Sequence, residues 1–444
     1  MTSYELKNAT RARTVMRDEE GPWYTLDNAA IIMPAVANER GTSVYRIGMD
    51  LDHPIKVDEL SRALASITPR FPYYHVELRR GFFWYYFKPS SRPLVPVSDE
   101  GYPCMGLDMH KRGTQLMRVR IRGRSLACEL SHILADGYGS VIFVKALLLE
   151  YFRLLGTPAG RADMGFDLEA LPDAEEYEDA YHRFFKPGVP IPDPLPRVFH
   201  LPSRLLPPGQ YRVITAEFPM DGLVALAKSH GASVTEFMAA VYLESLISLR
   251  ETLPAAKLRK ANPLVSLEIP VNLRRFHPTR TMRNFSLFVL PTIDTRLGPW
   301  TLESLTSYVR HFMAIYNDPR HMARQISRNA GGGRNLAVRL VPLRIKDFFA
   351  RLLFDSLGEG LISGLFSNLG NMQLPPEIAP HVTAMNMLGA PSPSLKTHAA
   401  MVSWKGTVYL SFGSLAESRE LERIFLSRLA SLGLALRVRC GMDR

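Results

Sequence analysis

The stretch Leu126-Ala127-Cys128-Glu129-Leu130-Ser131-His132-Ile133-Leu134-Ala135-Asp136-Gly137-Tyr138-Gly139 carries an apolar run up to a histidine, turns through Asp136 and Gly137, and opens into a long apolar segment. Leu126 to Leu130 reads as a strand returning antiparallel to Leu116 to Arg122, where apolar and basic residues alternate, with Gly123 and Arg124 making the turn. Beyond Gly139 the polar residues Lys145, Glu150 and Arg153 fall within one arc of a helical wheel. That spacing predicts a helix buried around most of its circumference. Gly156 and Pro158 end it, as a left-handed cap and a breaker.

Outward from this stretch the chain keeps mixing the two periodicities. Ser43 to Leu51 is strand-like, and Val57 to Ile67 follows with Leu60, Leu64 and Ile67 at helical spacing. Tyr73 to Leu78 and Gly81 to Lys88 read as an aromatic strand pair turning at Arg79, Arg80 and Gly81. Prolines are too frequent between Lys186 and Gly209 for a helix or an interior strand. A second region then restarts with a strand at Tyr211 to Phe218 and two helices, the second opened by Ser233 and Glu236 at capping-box spacing. A strand at Leu264 to Val271 and short strands near Val402 and at Val408 to Phe412 follow. The fold class is α/β with mixed sheets. The organisation expected is 1–185, a proline-rich crossover over 186–209, and 210–444.

The chain has 444 residues, 46% of them hydrophobic, enough for two domains with sizeable cores. Its formal net charge of +11 comes largely from scattered arginines. Such scatter reads first as a general surface excess, next as a basic mouth for a polyanionic cofactor, and last as a nucleic-acid or anionic-membrane surface. Met1 to Pro22 lacks the pattern of a secretory signal, so a cytoplasmic location is expected. The richest apolar stretch, Val141 to Leu155, is broken by Lys145, Glu150 and Arg153, and no transmembrane segment is expected. Cys104, Cys128 and Cys440 fit neither a disulfide framework nor a zinc site, and no metal is expected.

A neutral imidazole at His132 can accept a proton from an attacking hydroxyl, amine or thiol. On residue types alone the matter stays open. A lone histidine before a helix is more often a satisfied core residue and Asp136 most often a helix N-cap, while a metal pair of the two lacks a further His, Cys or carboxylate to complete its shell. No G-x-S-x-G elbow supports a serine hydrolase.

His132 to Gly137, between a strand and a helix, matches the H-x-x-x-D-G signature of the chloramphenicol acetyltransferase and condensation-domain acyltransferases. Trp23, Tyr24, Leu26, Asp27 and Asn28, then Phe82 to Tyr86, then Pro270 to Arg274 resemble bacterial members of the alcohol acetyltransferase family. So do Thr281 to Phe285 and Ser367 to Gly370. The resemblance implies two similar domains meeting across a channel with His132 at its middle. His132 would act as general base on the acceptor, with no acyl-enzyme. Asp136 would be structural and held by an arginine, for which Arg274 is the candidate, although a solvated strand-end residue is an equal reading. Gly137 would keep a passage open. Asn284, Ser367 and Asn368 lie in segments that line the channel in relatives and are candidate oxyanion donors, Asn368 reading also as a turn former.

Departures narrow the reading. Ser131 stands where peptide-forming condensation domains carry a second histidine, and no carrier-protein or adenylation module is read in the chain. The Asp-Phe-Gly-Trp-Gly segment of plant members has no equivalent. The expectation is a standalone acyltransferase moving an acyl group, acetyl foremost, from an acyl-CoA cosubstrate (acetyl-CoA) to a small-molecule alcohol, with no permanently bound cofactor and no nucleic-acid partner. The alternatives are an amine acceptor, a carrier-protein donor, a silent binding relative, or a protein that binds anions or membranes through its net charge. Trp23, Phe82, Phe83, Trp84 and Tyr85 are read as core or sheet packing before ligand contacts.

Overall fold

The computed structural model describes residues 15–18, 21–158, 166–332 and 336–443; most of the N-terminal segment Met1 to Pro22 lies outside them. Strands form where the sequence alternates. The first sheet orders β14 (Val382–Leu388), β3 (Val44–Leu51), β8 (Ser125–Ser131), β7 (Met117–Arg122) and β6 (Pro96–Ser98), antiparallel except for β6 against β7. A larger sheet orders β11 (Ser286–Val289), β10 (Leu264–Asn272), β13 (Gly364–Asn371), β15 (Thr397–Trp404), β16 (Thr407–Ser414), β9 (Tyr211–Pro219) and β17 (Arg437–Asp443), with β12 (Thr292–Asp294) also on β10. A third, antiparallel sheet orders β1 (Val15–Asp18), β2 (Gly21–Thr25), β5 (Tyr85–Pro89) and β4 (Val76–Arg80). The fold is a mixed α/β architecture.

Two cores follow from two buried helices. Gly137–Leu154 lies in the first, with Phe143, Leu147, Leu148 and Tyr151 at 1% exposure or less. Val234–Glu251, opened by the capping box of Ser233 and Glu236, lies in the second. The segment 186–209 forms neither helix nor strand; it meets the larger sheet where the Phe199 amide donates to the Leu264 carbonyl at 2.7 Å, and it makes the isolated Leu205–Ala416 bridge. The two halves interlock. β14, from beyond residue 380, completes the first sheet by pairing Met385 with Met49 and Met387 with Ile47.

Alternation along β15 makes the second sheet two-faced. Ala399 and Met401 enter the second core, while Val402 and Trp404 pack into the first, where the Trp404 indole donates to the Val382 carbonyl at 3.0 Å.

The aromatic hairpin differs from the sequence expectation. Gly81 N–H bonds to the Trp84 carbonyl at 2.9 Å, so the turn spans residues 81–84, later than Arg79 to Gly81. Tyr85 and Phe87 are buried, but Phe82 and Trp84 ride on the turn in solvent, with Phe82 71% exposed. Reading those two as core packing is thereby corrected: the four-residue turn lifts them off the sheet.

Candidate active site

β8 delivers His132 at the end of β3 that carries Ser43. The His132 amide donates to the Ser43 carbonyl at 2.8 Å, and the Ser131 and Ser43 hydroxyls lie 3.0 Å apart. Tyr45, fully buried on β3, sets its ring 4.2 Å from the imidazole. The Tyr45 hydroxyl reaches the carbonyls of Ala135 and Asp136, each at 3.1 Å, and bonds the Ser140 hydroxyl. One side chain thus packs beneath the histidine and pins the turn that follows it.

Asp136 divides its two oxygens. Oδ1 caps the helix by accepting from Gly139 N–H at 3.3 Å, so the helix starts at Gly137, earlier than its apolar periodicity suggests. Oδ2 takes Arg274 Nη1 at 2.8 Å and the Phe285 amide at 2.8 Å. Both side chains of the pair are buried at 7% exposure. Arg274 spends its remaining donors on the carbonyls of Thr281 (2.9 and 3.0 Å) and Arg283 (2.6 Å). One guanidinium therefore shapes the loop 281–285 and ties it to the turn after His132.

That loop places Asn284 against the histidine. Asn284 Nδ2 donates to the His132 carbonyl at 2.7 Å and to Asp27 Oδ2 at 3.0 Å. Both amide protons are committed, so Asn284 holds the histidine's backbone and has none left for an oxyanion. Asn368 Nδ2 donates to Thr235 Oγ1 at 3.0 Å, and its Oδ1 accepts from Gly370 N–H at 2.8 Å, where Gly370 adopts φ +76°. It is a turn former. Ser367 differs: paired with Ala400, it lies on the β13 face opposite Phe366, which enters the second core. Leu369, two residues on, packs on the first core. Gly137 faces this strand, where an added Cβ would lie 2.9 Å from Leu369 Cδ2. The tighter position is Gly139, where a Cβ would overlap the Met282 carbonyl and the Tyr74 hydroxyl.

The His132 ring keeps partial solvent access, yet the protein around it lowers its pKa below the usual 6.5 by desolvation. Asp136, the Ala135 carbonyl and the Asn284 side chain oppose that shift without reversing it. The His132 imidazole is therefore uncharged at neutral pH.

A second imidazole was not legible from the motif. His398 on β15 pairs with Leu365 and Gly413 and shares the strand face of Val402 and Trp404, turned toward the first half. It is 6% exposed, and its Nε2 has no hydrogen-bond partner among the described residues. Burial, and after it the charge of His132, lower its pKa to about 4, which puts the two rings within electrostatic reach. The neighbours of His398 on this face are small: Ala400 along the strand, then Ser411 and Gly413 across it on β16. The Tyr211 hydroxyl fills the space over Gly413, and Gly389 lies against the neutral ring.

Solved structures share this fold. The trichothecene 15-O-acetyltransferase TRI3 from Fusarium sporotrichioides aligns over 95% of this chain and 98% of its own at TM-score 0.58 and 12% identity. Polyketide synthase associated protein 5 from Mycobacterium tuberculosis aligns over 88% and 94% at 0.56 and 16% identity. The first condensation domain of the calcium-dependent antibiotic synthetase aligns over 94% and 99% at 0.55 and 15% identity. The chain has the condensation-domain fold. No family model and no curated protein matches the sequence.

Among the described residues one group has metal-ligand spacing: Asp52, His53 and His381, where Asp52 accepts from the two rings at 2.6 and 2.8 Å. It sits at the end of β3 remote from His132, roughly 27 Å away at ~3.3 Å per residue, and has no part in the site. No single described helix is long and apolar enough to cross a membrane.

Proposed function

We propose that this protein is an acyltransferase that moves an acyl group, acetyl foremost, from a coenzyme A thioester to an alcohol, with His132 as general base. The observation that carries the reading is a neutral imidazole held on both its backbone sides, by Ser43 and Asn284, at the junction of the two halves. The His132 ring takes the proton as the acceptor oxygen attacks the thioester carbonyl, the C–S bond breaks, and the proton returns to the departing thiolate. Asp136 is occupied with Arg274 and the helix cap, so its role is to position the turn and not to relay protons.

Ser131 supports a standalone transferase over a peptide-forming step, because its hydroxyl is spent on Ser43 and on the Ile133 amide at 3.3 Å. TRI3 is described as an O-acetyltransferase, which favours an alcohol acceptor; the condensation-domain neighbours keep a carrier-protein donor as the second reading. The test is thiol release from acetyl-CoA and longer acyl-CoAs against panels of alcohols and amines. Release that depends on an alcohol supports the reading. Release only with amines, or only from an acyl carrier protein, replaces it with the alternative.

A further inference from the structure

The helix Leu343–Leu357 is amphipathic with the apolar stripe outward. Ile345, Phe348, Phe349 and Leu352 recur at i, i+3, i+4 and i+7, the spacing that ordinarily marks a core face. All four are instead exposed, Phe348 at 64% and Leu352 at 62%. The helix face that is anchored is the one bearing Leu343 and Asp347. Leu343 N–H donates to the Phe82 carbonyl at 2.8 Å, and Asp347 accepts from the Tyr85 hydroxyl at 2.8 Å and pairs with Arg80 at 3.1 Å.

Those anchors seat the helix on the aromatic hairpin through the face opposite the stripe. Lys346 Nζ donates to the Phe83 carbonyl at 3.0 Å, and Phe82 and Trp84 are exposed at the tip of the hairpin that the helix rests on. At the other end Arg351 Nε donates to the Ala35 carbonyl at 2.6 Å. The six large exposed side chains of the helix and the hairpin tip together present on the order of 600 Å² of apolar surface, taking aromatics at roughly 150–250 Å² each. That is at the upper limit of what monomeric soluble proteins leave uncovered.

Charge says what covers it. The helix carries two acidic residues, Asp347, which is buried and paired, and Asp355 in its last turn, against the exposed Arg344 and Arg351, so the exposed stretch from Arg344 to Leu352 is apolar and basic. Arg344 and Arg351 are interleaved with the stripe, and Arg339 precedes it in the exposed Leu336–Arg339 turn of helix. An apolar face rimmed by arginines, with Phe and Trp at a protruding tip, is the composition that lies in the headgroup region of an anionic bilayer. We propose that this face docks the protein peripherally on anionic lipid membranes. The scattered net charge of +11 would add long-range attraction to the same surface.

The test is flotation with phosphatidylcholine vesicles with and without roughly 30% phosphatidylglycerol, using the full chain, Phe348→Ser with Leu352→Ser, and Arg339→Glu with Arg344→Glu. None of the four residues contacts the His132 site, and thermal unfolding confirms that each variant is folded. The proposal expects binding to the anionic vesicles that falls about tenfold or more in the serine pair and in the glutamate pair, and that weakens with salt. It is overturned if the wild type stays unbound or if the serine pair floats as well as wild type. It is also overturned if light scattering shows a wild-type dimer that the serine pair dissociates while neither binds vesicles, since the occupant is then a second copy. Vesicle binding is scored without acyl transfer, so either reading can fail alone.

Discussion

Arg274 Nη1 stands 2.8 Å from Asp136 Oδ2, and this buried pair ties the turn that carries His132 to the loop that carries Asn284. Removing one partner leaves the other charge without its counter-ion, which costs about 3–5 kcal/mol in buried pairs. Arg274→Met is expected to destabilise the protein by about 3 kcal/mol in denaturant titration, and to lower the turnover of what remains folded. The double variant with Asp136→Asn should lose less than the sum of the two single losses.

The two glycines of the motif region separate packing from passage. Gly139→Ala drives a Cβ into the Met282 carbonyl, which accepts from the Tyr74 hydroxyl and is flanked by the Thr281 and Arg283 carbonyls that Arg274 holds, so it should cost about 3 kcal/mol or more or fail to fold. Gly137→Ala meets only the end of Leu369, which can swing aside. Its melting temperature should stay near wild type while KM for the bulkier substrate rises. Thermal unfolding and steady-state kinetics on both variants check this.

His398 gives stability a pH dependence of known sign. Its folded pKa of about 4 lies below the 6.5 of a free imidazole, so the unfolded chain takes up a proton first as pH falls. Its contribution is unchanged above about pH 6.5 and is lost progressively on the way down to about pH 4. Between about pH 7.5 and pH 5 the loss amounts to about 2 kcal/mol. Denaturant titrations at those two pH values should show the drop in wild type and a drop about 2 kcal/mol smaller in His398→Asn.

Asn284 raises the pKa of His132 and fixes its backbone. Because the lowered pKa of His132 sets the acid limb of kcat/KM, activity should plateau above it and fall below it. Asn284→Ala removes one group favouring the protonated ring, so the limb should move to lower pH while the plateau drops about tenfold or more. A pH profile of both proteins reads the shift and the drop separately.

Much of this was legible in the sequence where local chemistry decides. The strand before His132, the helix after it and the capping box of Ser233 follow from period and cap residues alone. The hairpin turn came out later because the Gly81 to Trp84 bond, not the basic pair Arg79-Arg80, closes it. The crossing of β14 into the first sheet is invisible in Val382-Thr383-Ala384-Met385-Asn386-Met387-Leu388, since a strand's own residues do not say which sheet it joins. His398 was missed for a related reason. Thr397-His398-Ala399-Ala400-Met401-Val402 is apolar on both faces, and only the sheet's position between two cores shows that the histidine's face meets the His132 half. The commitment of Asn284 and Asn368 to other partners likewise depends on contacts more than a hundred residues away in sequence.

The central claim is that His132 is the base of an acyl transfer, and the most direct measurement is acceptor-dependent release of free coenzyme A by wild type and His132→Ala, each shown to be folded by thermal unfolding. The account predicts release in wild type that falls by about a hundredfold or more in the variant. A folded His132→Ala protein that turns over as fast as wild type would contradict it.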